Sequence, residues 1–281
     1  MDLRPFVRSS VIFVAVGDLE EPVSYARCKA RAKELFETWE HRDATIGDNF
    51  PTVNDFYRGR HLFVTGGSGF CGKVIVEKLL RSCPDVGNIY LLVRPGRRGQ
   101  HPDDRLKDML QLPLFDRLRE ENPAALNKVL AVRGDCMQKG LGLSPEDRQL
   151  LADKVSIVIH SAASVRFNDA LKKAVTMNVL STVAVVELAR EMKKLSVLVH
   201  ISTAYCNTNI NPTMERIYPT EHNWRDVVKY VNLPDVDVLD DLGEKFMGFQ
   251  PNSYVFTKAL AEQVMNEAAR DLPVIIIRPS I

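Results

Sequence analysis

Thr65-Gly66-Gly67-Ser68-Gly69-Phe70-Cys71-Gly72 is the stretch on which the fold turns. An apolar run, His61–Thr65, leads straight into it. A helical stripe, Phe70–Arg81, leads out, with Ile75, Val76, Leu79 and Leu80 on one face and Lys73, Glu77, Lys78 and Arg81 on the other. The segment satisfies G-x-G-x-x-G at Gly67, Gly69 and Gly72, and T-G-x-x-G-x-x-G from Thr65. Strand before and helix after is the context in which such a pattern carries weight. A side chain at the glycines would block the tight turn, the approach of backbone N–H groups to a pyrophosphate, or the packing of helix on strand. Thr65, Gly66, Gly67, Ser68, Gly69, Phe70 and Gly72 are therefore candidate cofactor-binding residues.

Outward from this loop the texture repeats. Short runs rich in Val, Ile and Leu occur at His61–Thr65, Asn88–Val93, Lys128–Val132, Val155–His160, Ser196–Ser202 and Pro273–Arg278. Runs apolar at consecutive positions fit parallel strands buried on both faces. Helical segments separate them, including the long apolar Asp169–Met192 and Asn252–Ala269, which opens on Pro-Asn-Ser. The alternation predicts an α/β fold, a doubly wound parallel sheet of the Rossmann type. Residues 1–55 show no strong period beyond a possible helix at Tyr25–Trp39, and are read as an N-terminal extension. Residues 56–281 are read as one dinucleotide-binding domain, cut off after its sixth strand.

Composition excludes several classes. The chain has 281 residues, 45% apolar and 26% charged, which is globular. Lys plus Arg against Asp plus Glu is 37 against 36, so no global positive field calls for a nucleic-acid partner. Its apolar runs fall far short of the ~18–20 residues of a membrane span. Five cysteines, an odd number and without C-x-x-C spacing, argue against a disulfide framework or a zinc site, and no metal is expected. Arg4 and Arg8 before Val11–Gly17 imitate a secretory signal, but Asp18, Glu20 and Glu21 stand where a small-residue cleavage site belongs.

Cofactor choice is read at the end of the second strand. An acidic residue there would accept from the ribose 2′-OH of NAD. This chain has Arg94-Pro-Gly-Arg97-Arg98 instead, suited to the 2′-phosphate of NADPH, or else a solvated basic loop. Asp135, after the third strand, suits either an adenine amino group or a turn. Ser161, Ala162 and Ala163, after the fourth, are small enough to let a loop pass close to a cofactor. Pro279, Tyr254 and Lys258 complete the cofactor-binding set, Lys258 as a holder of the nicotinamide ribose, while His160 reads as strand-end packing. Tyr254 and Lys258 stand at i and i+4 on a helix, so phenol and ammonium share a face. A nearby cation lowers a phenol's pKa and makes it a better proton donor–acceptor. Thr203, ahead of Ser202, is the candidate third member, one hydroxyl facing the cleft while the other packs away. Asn178 suits a water relay or a buried cap.

Taken together, these residues resemble the extended short-chain dehydrogenase/reductases, and within them the alcohol-forming fatty acyl-CoA reductases, insect-type members most of all. The resemblance covers Asn54–Ile281. Its marks include Thr-Gly-Gly-Ser-Gly-Phe-Cys-Gly-Lys-Val, Asn-Ile-Tyr-Leu-Leu-Val-Arg-Pro, Ile-His-Ser-Ala-Ala-Ser-Val-Arg-Phe, His-Ile-Ser-Thr-Ala-Tyr-Cys-Asn and Tyr-Val-Phe-Thr-Lys-Ala-Leu-Ala-Glu. It implies NADPH-dependent reduction of a long-chain acyl-CoA to a fatty alcohol through an aldehyde. It also implies an intracellular enzyme at the peroxisomal or endoplasmic-reticulum membrane, facing the cytosol and held there by a region beyond Ile281; a homo-oligomer is compatible with it. Tyr205–Pro251, with Trp224, Val227, Val228 and Tyr230 at helical spacing, is expected to wall the acyl or CoA groove. Cys71 replaces a larger aliphatic residue, and residues 1–53 have no counterpart in the pattern. Other readings stay open: a sugar-nucleotide or steroid enzyme of the same superfamily, a carrier-protein thioester reductase, or a non-catalytic NADPH sensor.

Overall fold

Each of the six Val/Ile/Leu-rich runs becomes a parallel strand, and the helices between them cover both faces of one sheet. A computed structural model describes residues 11–15, 52–96, 99–210, 213–232, 243 and 247–279. Its strands are β1 (Val11–Ala15), β2 (His61–Thr65), β3 (Ile89–Val93), β4 (Val129–Arg133), β5 (Val155–His160), β6 (Val197–Ile201) and β7 (Val274–Pro279). Its helices are α1 (Val53–Tyr57), α2 (Phe70–Ser82), α3 (Pro102–Leu110), α4 (Asp116–Glu121), α5 (Pro145–Lys154), α6 (Leu171–Val175), α7 (Ser181–Glu191), α8 (Trp224–Val231) and α9 (Ser253–Ala268). The sheet order is β1-β7-β6-β5-β2-β3-β4. All pairs from β4 to β7 are parallel, and β1 adds an antiparallel edge through the register Val11↔Pro279 to Ala15↔Ile275. The apolar run that imitated a signal sequence thus pairs with the last strand. The Tyr25–Trp39 helix and Arg97 lie outside the described residues.

The chain leaves β2 to build β3 and β4 on one side, then crosses back to build β5, β6 and β7 on the other. At such a reversal the helices after β2 and β5 turn to opposite faces of the sheet, and a crevice opens at the C-terminal ends of the strands. The six parallel strands bring the glycine loop after β2, the small-residue loop after β5 and the hydroxyl segment after β6 to that one edge.

Two apolar layers hold the sheet. One packs Phe63, Val158, Leu198 and Ile276 against α6, α7 and α9; the other packs Leu62, Val64, Leu91 and Ile157 against α2, α3 and α4. Phe63 is fully buried at the sheet centre. Phe63→Ala is expected to cost about 3–5 kcal/mol, measured by denaturant unfolding; a loss below about 1 kcal/mol would show that the layer recloses over the gap.

The predicted Asp169–Met192 helix is not continuous. Its wide turn, Thr176–Leu180, has π-helical hydrogen bonding and joins α6 to α7. Such turns insert a residue and push one side chain out of the regular stripe. Here the turn carries Asn178, whose seat is described below.

Candidate active site

The glycine loop is shaped by two different demands. Gly66 has φ +70°, and a Cβ there would lie 2.6 Å from the backbone nitrogen of Ala162. At Gly72 a Cβ would fall 2.2 Å from the Gly66 carbonyl oxygen and 2.6 Å from the Gly67 Cα. These glycines are needed by the protein itself, so that the loop, α2 and the segment after β5 can touch backbone to backbone. Gly69 differs. It is the N-cap of α2, and its Cβ would meet only the Gly66 oxygen, at 3.1 Å. The loop around it, Ser68 to Cys71, is exposed. A cradle with free helical N–H groups, open to the crevice, fits a pyrophosphate. The residues present therefore fit a nicotinamide dinucleotide.

Beneath the loop a directional hydrogen-bond chain ties β2 to β5. Ala162 N–H donates to Thr65 Oγ1 (3.3 Å), and Thr65 Oγ1 lies 2.7 Å from His160 Nδ1. His160 Nε2 lies 3.0 Å from Thr182 Oγ1, which itself donates to the Asn178 carbonyl at 2.7 Å. With the Thr182 proton so committed, Nε2 carries the imidazole proton and Nδ1 accepts from Thr65. Burial pushes His160 down to about 3, so it stays neutral and braces the site. Thr65 is fully buried and spent on this brace, which places its hydroxyl below the loop rather than at its surface.

Four more binding candidates have defined seats. Ser161 N–H donates to the Thr65 carbonyl, so the small-residue loop follows β2 closely. Asp135 accepts the Met137 N–H at 2.9 Å, which is the turn geometry. Arg94 extends from the end of β3 with an exposed side chain, and its carbonyl accepts from Arg105 Nη1 at 2.5 Å. A second guanidinium, unmarked in the sequence pattern, is thereby held beside it. Pro279 ends β7 at the same edge, half-buried.

Tyr254, Lys258 and Thr203 converge. Thr203 shares a side-chain hydrogen bond with the Tyr254 phenol, and its Oγ1 also accepts the Tyr205 N–H at 3.2 Å. Lys258 is buried, and its Nζ donates to the Ile201 carbonyl at 2.6 Å. Ser202 is turned away, with its hydroxyl donated to Glu262 Oε1 at 2.6 Å. Alternation along the end of β6 places only one of two adjacent hydroxyls in the crevice, so Ser202 is withdrawn from the catalytic set.

The phenol itself departs from expectation. Its pKa is raised, not lowered: burial is the largest cause, and the hydrogen bond from Thr203 only partly opposes it. The Lys258 ammonium, expected to pull it down, points at Ile201 instead. Tyr254 therefore keeps its proton at neutral pH. Burial likewise brings Lys258 down to about 8, against the opposing field of Glu262.

Asn178 is buried and spends its amide on positioning. Oδ1 accepts the Ser164 N–H (2.8 Å), and Nδ2 donates to the Ser164 carbonyl (3.2 Å) and to Thr257 Oγ1 (2.9 Å). The wide turn thus pins the loop after β5 to the helix of Tyr254 and Lys258. That loop carries Phe167, largely exposed, with its ring centroid 5.8 Å from that of Tyr254. Tyr205, after β6, and Phe70, at the start of α2, are exposed as well.

The helix at Trp224–Val231 corrects one expectation. Val227 and Val231 are buried in the core, and Trp224 binds α9 through Gln263 and Glu267. Gln263 lies nine residues from Tyr254, half a turn out of phase at 100° per residue. The helix supports α9 from behind and does not wall the crevice beside Tyr254.

The sequence pattern also passed over a buried ion pair. Arg278 Nε donates to Glu262 Oε1 (2.8 Å) and Nη2 to Oε2 (2.5 Å), both residues being fully enclosed. Removing one partner of such a pair costs about 3–5 kcal/mol. Glu262, four residues after Lys258 on an apolar helix, was the available sign.

A family profile described as male sterility protein, a NAD-binding domain, matches residues 64–281. The chain belongs to the male sterility protein family. Among its relatives, fatty acyl-CoA reductase 1 of Homo sapiens is 41% identical over 230 residues, 82% of this chain and 44% of that protein. Fatty acyl-CoA reductase wat of Drosophila melanogaster is 40% identical over 226 residues, covering 80% of this chain and 43% of that protein. The chain thus spans less than half the length of the curated relatives it matches. Among solved structures, the terminal R domain of the myxalamid PKS-NRPS pathway superposes with a TM-score of 0.55 at 25% identity, covering 78% of this chain and 48% of that domain. As a member of the family the chain carries its dinucleotide-binding sheet, and no helix among the described residues is long and apolar enough to cross a membrane.

Proposed function

We propose that this protein is the reductase domain of an NADPH-dependent, alcohol-forming fatty acyl-CoA reductase. The observation that carries the reading is the meeting of Thr203, Tyr254 and Lys258 in the crevice beside the glycine cradle. Similarity to fatty acyl-CoA reductases of vertebrates and flies supports the substrate class. Ser68, Gly69 and Phe70, exposed at the N-terminus of α2, hold the pyrophosphate on a loop whose shape Gly66, Gly67 and Gly72 allow; Ser161 to Ala163 flank the cofactor; Lys258 holds the ribose beside the nicotinamide. When bound, the reduced dinucleotide supplies a hydride to the thioester carbonyl. Tyr254 and Thr203 donate to the oxygen as negative charge develops, a preorganised stabilisation. The raised pKa of Tyr254 suits this part, because the proton is present to be given. Collapse of the tetrahedral adduct expels the CoA thiolate and leaves an aldehyde, which the same hydroxyls present for a second reduction by a second equivalent of the reduced dinucleotide. The exposed Phe167 ring, beside Tyr254, receives the first part of the acyl chain.

The test is NADPH consumption across acyl-CoA lengths, with alcohol identified as product. No oxidation with any acyl-CoA, alone or joined to a family member's C-terminal half, would remove the reading. The Thr203, Tyr254 and Lys258 set also suits a second substrate form, a thioester on a carrier protein. Faster turnover of a carrier-bound acyl group than of the free CoA ester would select it.

Arg94 is assigned to the 2′-phosphate because it stands at the end of β3 with an exposed side chain beside Arg105. Charge-assisted hydrogen bonds contribute about 1.5–3 kcal/mol. Arg94→Ala should therefore weaken NADPH by about 10- to 100-fold while changing NADH little, as read by titration of dinucleotide fluorescence. Equal losses for the two would place the phosphate elsewhere.

A further inference from the structure

Two consecutive residues at the end of β6 receive two successive turns of α9. The Ile201 carbonyl accepts from Lys258 Nζ, and the Ser202 hydroxyl donates to Glu262 Oε1, each at 2.6 Å. Residues at i and i+4 share a helix face, so the carboxylate of Glu262 lies along the same seam as the ammonium. From the other side β7 supplies Arg278, doubly bonded to Glu262 and also donating from Nη1 to the Met214 carbonyl at 3.2 Å. Cys206 adds its thiol, 3.3 Å from Oε1. All three ions are enclosed.

Enclosing charges is costly, and two apolar side chains of similar volume would fill the same space as well or better. A staple between α9 and β7 does not require a carboxylate one turn from the crevice lysine. We propose that Glu262, fixed by Arg278 and Ser202, is a positioning residue that keeps Lys258 in its charged form where the cofactor ribose binds. This rests on the site being a dinucleotide-dependent reductase.

The groups around Lys258 leave Glu262 as the source of negative charge. His160 from β5 and His200 from β6 are both fully buried, and burial holds both well below the usual histidine range, so they are neutral. Cys206, after β6, is pushed up by burial and stays a thiol. Tyr254 on α9 also keeps its proton. Arg278 from β7 is turned to Glu262. Burial alone draws the Lys258 ammonium down, and Glu262 is the first group opposing it, which leaves it at about 8. Without that carboxylate the ammonium loses its proton closer to neutrality.

The experiment follows NADPH binding by fluorescence from neutral to alkaline pH, with folding checked by circular dichroism. Wild type should lose affinity as pH rises through about 8. In Glu262→Gln the same loss should begin at least about one pH unit lower, and Glu262→Asp should restore part of the difference. Because Glu262→Gln strands Arg278, the double variant Glu262→Gln/Arg278→Gln is measured beside it. It removes both charges and leaves two amides able to bond to each other. A shifted limb in the folded double variant supports the proposal, since the staple is replaced but the field is not. A wild-type limb in that variant overturns it and leaves the pair as a staple. Failure of wild type to bind NADPH is a separate result, which overturns the reading of the site and this inference with it.

Discussion

Tyr254→Phe should reduce acyl-CoA-dependent NADPH oxidation by about 10²–10⁴-fold while leaving NADPH affinity within about threefold. The ring stays, so its packing against Phe167 persists. What is lost is one hydroxyl, bonded to Thr203 and, in the proposed mechanism, the donor to the carbonyl oxygen. Burial has raised that group's pKa, so at neutral pH the wild-type phenol is the acid form and the variant has no acid at all. Thr203 remains and can still donate one hydrogen bond, which explains why a residue of activity is expected. Thr203→Val should cost less, on the scale of one oxyanion donor, about 10²–10³-fold. Turnover of Tyr254→Phe at the wild-type rate would remove the phenol from the chemistry. Loss of NADPH binding in parallel with activity would make Tyr254 a binding residue instead.

How much of this was legible in the sequence depends on the kind of interaction. The sheet was, because buried parallel strands write themselves as consecutive Val, Ile and Leu; β2 and β5 fall on the expected residues, His61–Thr65 and Val155–His160. Local spacing also carried the glycine loop and the Tyr254–Lys258 face, since both depend on residues within eight positions. What could not be read is pairing across the fold. Val11–Ala15 has the composition of a strand, but its partner β7 lies more than 250 residues on, and nothing local to either names the other. Glu262 and Arg278 are separated by only 16 residues, yet a helix and a strand place them. The direction of the Tyr254 pKa was missed for the same reason. Spacing announces a neighbouring cation, whereas burial and the pull of the Ile201 carbonyl on that cation are tertiary facts. The choice of Thr203 over Ser202 was half legible: alternation says that one faces in, and only the register of β6 against α9 says which.

The glycines of the loop should separate into two classes under the same substitution, and the contrast tests the cradle more sharply than any single variant. In Gly72→Ala the new carbon would overlap the Gly66 oxygen and the Gly67 Cα, both backbone, so the loop or the start of α2 must move. Overpacking of this kind costs about 1–3 kcal/mol or more, outweighing the ~1 kcal/mol that Ala gains over Gly inside a helix. At about 2–4 °C per kcal/mol for a chain this large, Gly72→Ala should lower Tm by several degrees and lose dinucleotide binding with the loop's shape. Gly69→Ala has φ −75° and a single neighbour at 3.1 Å, so the fold tolerates it. The added methyl points where the structure has no need of space for itself. Gly69→Ala should therefore keep Tm within about 2 °C and still weaken NADPH at least about tenfold, since one carbon too close to a phosphate removes a hydrogen bond of about 1.5–3 kcal/mol. Equal melting losses in the two variants would show that both glycines serve packing. Undiminished NADPH affinity in Gly69→Ala would show that no phosphate approaches the N-terminus of α2, and the cradle would have to be sought elsewhere along the edge.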